Sequence, residues 1–343
     1  MESMLYIAIL ALTTFVWGYI FYKKDYHPQP LKVLFQSFYI GLFAMIPVFS
    51  YKYLYQHFLP AIAEYQIFRP LMDSPVISGV LMFVANLVML AVVLFILSGI
   101  ISAILNFFSH SVLANFKNAI KDEPFGFTMV SLFLGLSVFI ETLFQKQFLM
   151  PEIGVTLGSI LFLAIIEEFI KHLMVRITDD KKLKDVDDAI TLSIVIGLAF
   201  GFIETIIYSV SAGSMKLIFY RSMISLPIHV VASGIIGYYY GMAHFAKPIT
   251  EIEGGDRILH KKWLPKILTL KRSTVYHEEK IVEGIFFATV FHAAMNLLFE
   301  FNLGFLAVPF IILGIVLIFR FYKSSRTETM LISKFLQRKY SKA

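Results

Sequence analysis

A few short stretches of this 343-residue chain carry side chains that can move protons or hold a metal. In Ile166-Glu167-Glu168-Phe169-Ile170-Lys171, helical spacing sets Lys171 at i,i+4 from Glu167 and i,i+3 from Glu168. One ammonium can then lie against both carboxylates. A self-neutralising helix end is the plain alternative, but Glu167 lies nine residues before Arg176, about 14 Å along a helix. Glu204 has no basic residue within a turn, so it must find a partner on another helix, take a proton or bind a metal. His229 follows Pro227 with Ser222, Ser225 and Ser233 nearby, and His292 has Thr289 three residues before it and Asn296 four after. A lone buried histidine is usually a satisfied core residue. Two histidines beside three glutamates are the usual ligand set for a zinc-like metal and the usual acid–base pair for hydrolysis.

These residues sit in a chain that is 58% hydrophobic and only 16% charged. A soluble domain carries about a quarter charged residues, so this composition excludes a water-soluble globule. Apolar runs of about 20 residues cross a bilayer. Nine are predicted, near 4–22, 30–50, 76–107, 125–146, 154–176, 189–211, 217–244, 281–300 and 303–322. The fold class is an all-α polytopic transmembrane helix bundle. The first run lacks a basic n-region and a small-residue cleavage site, so it reads as a retained span. Under strict alternation, twenty-three of the 30 basic residues fall on one side and four on the other. That bias sets the N-terminus outside and the C-terminus in the cytoplasm. The net charge of +6 is thus orientation, and nucleic acid is not needed as a partner. With no cysteine, thiolate metal sites and a Cys nucleophile are excluded.

Intramembrane polar groups concentrate in spans four to eight. Residues 1–122 read as accessory helices, 123–322 as the catalytic core and 323–343 as a basic cytoplasmic tail. His27, His57, His110, His172, His244, His260 and His277 fall at interfaces or in loops and read as solvated. Gly197 and Gly201 make a small-xxx-small face for close helix approach.

Several hydrolase signatures are absent: no His-Glu-x-x-His, no Gly-x-Ser-x-Gly, and no Gly-x-Gly-Asp in a span, since Gly254-Gly255-Asp256 lies in a loop. What remains is Glu167-Glu168-x-x-Lys171, then Phe200-Gly201-Phe202-x-Glu204, then His229 ahead of a Gly- and Tyr-rich stretch, then Phe291-His292-x-x-x-Asn296. In order and span this resembles the PrsW family of intramembrane proteases over about 150–300, and Arg221 upstream of His229 also fits. The family often has Asn after the third Glu, where this chain has Thr205. The related CAAX prenyl endopeptidase and bacteriocin-processing group prefers Glu-Glu-x-x-x-Arg, and His172 stands at that Arg position.

The resemblance implies a membrane-embedded peptidase acting on a membrane-protein substrate, with anti-sigma-factor processing as the family's best-known role. Residue chemistry then suggests Glu167 as general base, its water activated alone or with a divalent, zinc-like metal held by Glu204, His229 and His292. Without metal, His229 or His292 with Asn296 would stabilise the oxyanion. Glu168 is either a second acid–base group or the partner of Lys171. The rival classes are a proton- or ion-coupled transporter and a non-catalytic scaffold descended from a protease. A transporter predicts inverted repeats and broken helices, and neither is evident in the sequence.

Overall fold

The computed structural model describes residues 2–51, 121–147, 151–179, 183–252 and 271–340, with single positions between 53 and 88. The predicted third span, 76–107, the loop 51–74, His110, His260 and the Gly254-Gly255-Asp256 loop lie largely or wholly outside the described residues. Among these, all regular structure is helical. The helices are α1 (Glu2–Tyr22), α2 (Leu31–Phe43), α3 (Pro124–Gln147), α4 (Pro151–Asp179), α5 (Val186–Ser211), α6 (Lys216–Met223), α7 (Ser225–His244), α8 (Ala246–Ile252), α9 (Arg272–Glu300) and α10 (Ala307–Tyr340). Among the described residues, six stretches are long and apolar enough to cross a membrane: Ser3–Tyr22, Leu31–Tyr51, Val186–Ser211, Lys216–His244, Arg272–Glu300 and Gly304–Arg326. Helices α3 and α4 coincide with the fourth and fifth predicted spans, and α4 holds Glu167, Glu168 and Lys171.

Local chemistry explains the boundaries. Pro124 and Pro151 open α3 and α4, where a missing N–H costs nothing and the fixed φ suits a helix. Asp185 caps α5 by accepting a hydrogen bond from Asp188 N at 3.0 Å. Past Ser211, Gly213 takes φ +61°, the left-handed conformation that ends the segment cheaply.

The seventh predicted span is matched by Lys216–His244, with its helix interrupted by one turn. Its two pieces, α6 and α7, meet at Ile224, where φ is −120° and ψ −53°. Pro227 accounts for the break: its ring clashes with the carbonyl of residue 223 and it offers no N–H to continue the ladder. His229 therefore sits in the opening turns of α7. A broken helix is one of the two features a transporter would show. Here it has this local cause.

The closest packing joins α5 to α7, with α9 and α4 completing the group around them. Glycine makes it close. A Cβ on Gly197 would meet Ser233 and the backbone oxygen of His229, and one on Gly201 would lie 2.7 Å from His229 Cδ2. The small-xxx-small face predicted on α5 thus receives the very turn of α7 that carries His229. Core side chains such as Ile166, Phe169, Phe200 and Ile196 pack around this junction, and α1 and α2 lie against α5.

Candidate active site

Four helices deliver one buried polar cluster. From α4 come Glu167, Glu168 and Lys171, from α5 Glu204, from α7 His229 and from α9 His292, each at most 6% exposed. Ionisable groups buried at membrane depth persist only when paired or used. Lys171 Nζ donates to Glu168 Oε1 at 2.5 Å and lies 3.2 Å from His229 Nδ1. His292 Nδ1 lies 2.5 Å from the same Glu168 oxygen. His229 Nε2 lies 2.8 Å from Glu204 Oε2, which also accepts from Arg221 at 2.6 Å. The two imidazoles meet edge to face, centroids 5.1 Å apart. Phe200 lies against His229, and Lys171 Nζ sits 4.9 Å from the Phe200 centroid. Arg221 is held over Tyr208.

The donors fix the tautomers. An ammonium can only donate, so His229 Nδ1 accepts from Lys171, and its Nε2–H donates to Glu204. A carboxylate only accepts, so His292 donates from Nδ1 to Glu168 and turns Nε2 toward Glu167, 3.6 Å away. Glu167 Oε2 and Glu168 Oε2 are buried without a hydrogen-bond partner. Counting Glu167, Glu168 and Glu204 against Lys171 and Arg221 leaves one negative charge unmatched with both histidines neutral. Among the described residues neither Lys171 nor Arg221 is paired to Glu167, so the surplus lies there.

That surplus bears on a metal. Glu167, His229 and His292 each offer one ligand atom within 4.8 Å of the others. Each imidazole is gripped at one nitrogen by a carboxylate, Glu168 for His292 and Glu204 for His229, the usual support behind a metal-binding histidine. The donor set fits a zinc-like cation, provided that Lys171 yields at His229 Nδ1. In this arrangement Glu204 stands behind His229, alongside Arg221.

Every sequence-predicted site residue except Asn296 joins this cluster, Glu167 through its 3.6 Å approach to His292 rather than a hydrogen bond, and Arg221 at the edge. Asn296 is half-buried one turn beyond His292. The buried Thr205 hydroxyl has no partner among the described residues, in keeping with the departure from Asn at that position.

A second network escaped the sequence reading. His172, read as solvated, is 1% exposed and lies 2.7 Å from Glu123 Oε2. Arg176 Nε lies 2.8 Å from Glu123 Oε1 and its NH1 donates to the Tyr240 hydroxyl at 3.1 Å, while His277 is half-buried and bonds the Ala243 carbonyl. Burial opposes ionisation of Glu123, but the His172 charge and hydrogen bond, with Arg176, outweigh it and hold its carboxyl below the usual range. Glu168, His172 and Arg176 recur every four residues, and that stripe was the available signal.

Residues 123–255 match the family model described as PrsW family intramembrane metalloprotease. His292 and Asn296 lie beyond the matched residues. A curated protein named Protease PrsW, from Geobacillus kaustophilus (strain HTA426), is 26% identical over 136 residues, 38% of this chain. The match covers 60% of that relative's length. No solved structure matches the chain. The apolar helices are those of a multi-pass membrane protein, and the relative is bacterial. Over residues 123–255 the chain is similar to the PrsW family.

Proposed function

We propose that this protein hydrolyses peptide bonds of membrane-protein substrates within the bilayer, with regulated, anti-sigma-factor-like proteolysis as the role the resemblance implies. The observation that carries the reading is the buried cluster itself, in which an unpaired Glu167 oxygen faces two imidazoles held by carboxylates. Glu167 takes the proton of the attacking water at Oε2, since neither Lys171 nor Arg221 is paired to it. His292, oriented by Glu168, lies next to that oxygen and passes the proton to the leaving amine nitrogen. His229, with its Nε2–H turned to Glu204, holds the opposite wall. Lys171 keeps Glu168 ionised so that it continues to orient His292. As an alternative to this proton relay, a zinc-like cation held by Glu167, His229 and His292 would occupy the same Glu167 oxygen and His292 nitrogen and act as a Lewis acid toward water and the scissile carbonyl. Glu204 and Arg221 support His229 in this assignment.

The basic-residue bias supports nine spans, an outside N-terminus and a cytoplasmic C-terminus, with accessory helices up to residue 122 and the catalytic core from 123. The test is cleavage of a single-span membrane substrate by protein purified in detergent. Glu167→Gln, His229→Ala and His292→Ala are each expected to lose at least about 100-fold in rate, as befits groups that touch the reacting atoms. Wild-type rates in all three variants would place the chemistry elsewhere.

A further inference from the structure

Sixteen residues before Glu204 on α5, about 24 Å along the helix, lies a second group of buried acids. Asp25 comes from the connection after α1, and Asp185 and Asp188 from the start of α5. They are 6%, 2% and 0% exposed, and each offers a carboxylate oxygen within 4.8 Å of the others. Helix capping explains part of this. Asp185 Oδ1 accepts from Asp188 N, and Asp188 Oδ2 accepts from Lys184 N at 2.7 Å. The Gln29 side chain also bonds the Asp188 carboxylate, and Asp25 Oδ1 accepts from His27 N at 3.0 Å, but capping does not account for the presence of Asp25, and the Oδ1 atom of Asp188 is fully buried without a hydrogen-bond partner.

The neighbouring cations do not neutralise the group. Lys24 Nζ is placed 5.1 Å from the Phe319 centroid and the Arg326 guanidinium 5.8 Å from that of Tyr26. His27, 3.4 Å from Asp185 Oδ2, has a side chain 56% exposed. Among the described residues no Lys or Arg is ion-paired with Asp25, Asp185 or Asp188. Further oxygens stand close by: Thr191 Oγ1 lies 2.9 Å from both Asp25 Oδ2 and the Tyr322 hydroxyl.

We propose that Asp25, Asp185 and Asp188 bind one hard divalent cation, calcium being the better fit, which fastens the end of α1 and the α10 segment at Tyr322 to the start of α5. The donors are oxygens, which suits calcium or magnesium over zinc or copper. Calcium–oxygen distances of about 2.3–2.6 Å let a cation sit among oxygens spaced as these are, whereas magnesium at about 2.0–2.1 Å requires them to contract. This site is separate from the glutamate–histidine cluster and stands whether or not that cluster is proteolytic.

The test uses the full chain in detergent, stripped with chelator and then equilibrated with radioactive calcium chloride at constant ionic strength. Saturable uptake of one calcium per chain is expected in wild type and in His292→Ala, together with a calcium-dependent rise in the thermal midpoint. Asp188→Asn and Asp25→Asn should each weaken uptake at least about tenfold. Without calcium, Asp188→Asn should melt no lower than wild type, because it removes an uncompensated buried charge. Should one of the two fail to fold, the other decides. Absent saturable uptake, or uptake unchanged in either folded variant, overturns the proposal, as does uptake lost in His292→Ala but kept in Asp188→Asn.

Discussion

Replacing Lys171 with Met tests whether the cluster is a buried charge system or an ordinary helix-surface pair. Lys171 and Glu168 are 1% and 0% exposed, with Nζ 2.5 Å from Oε1. An exposed i,i+3 pair would contribute only about 0.2–0.5 kcal/mol. Removing one partner of a buried pair instead strands the other charge, at a cost of about 3–5 kcal/mol. After Lys171→Met, Glu168 keeps only the His292 hydrogen bond, and His229 Nδ1 loses its donor. The fall in stability should therefore sit near the larger figure. Adding Glu168→Gln removes the stranded charge, so the double variant should recover to within about 1 kcal/mol of wild type. The coupling between the two sites should then exceed about 2 kcal/mol. Equilibrium unfolding in mixed micelles measures all four corners of this cycle, and substrate cleavage is followed beside it. Cleavage should stay low in the double variant, since a neutral Gln no longer orients His292 as Glu168 does. A loss below about 1 kcal/mol for Lys171→Met, or a double variant no more stable than the single, would refute the buried-pair reasoning.

Three further outcomes follow from the geometry. Gly201→Ala places a Cβ 2.7 Å from His229 Cδ2 and 3.1 Å from Leu226 Cδ1. The imidazole must shift, so cleavage should fall by about 10- to 100-fold while stability drops by only about 1–3 kcal/mol; a cleavage rate kept at wild type would show that His229's position is unimportant. The Glu123 carboxyl is held below its ordinary value of 4.5, so its stabilising contribution is complete above that pH and disappears as pH falls through the lower folded value. Thermal midpoints measured from pH 6 to pH 3 should fall more steeply in wild type than in Glu123→Gln, and parallel curves would discount the network. Chelation of the purified protein should abolish cleavage and zinc should restore it, whereas Glu167→Gln should show weakened zinc uptake by direct metal analysis; undiminished cleavage after chelation would leave a carboxylate-only mechanism.

How much of this was legible in the chain depended on whether the partner lay in the same helix. Glu168 and Lys171 are three residues apart, and helical spacing alone pairs them. Glu204 and His229 stand on separate helices, so their contact waited for Gly197 and Gly201 to bring α5 against α7. The break at Ile224 was written in Pro227, yet continuous apolar composition hid it. His172 was misread because the residue after Lys171 looked close to a helix end. Its partner Glu123 is 49 residues away, just ahead of the proline that opens α3. Asp25 and Asp188 carried no signal in the sequence, and the packing of α1 and α10 against the start of α5 buries them.

The glycine contacts between α5 and α7 also have a mechanical consequence. With backbone and side chains already in contact at Gly197, Gly201 and Gly237, the two helices have little freedom to slide or roll and move as one beam carrying Glu204 and His229. Helix α4 is joined to the beam and to α9 by polar bridges, Lys171 to His229 and Glu168 to His292. A peptide admitted by parting α4 from its neighbours would uncouple the acid–base groups as it entered, and the return of α4 would reassemble them around it. Entry gate and catalytic latch would then be the same two hydrogen bonds.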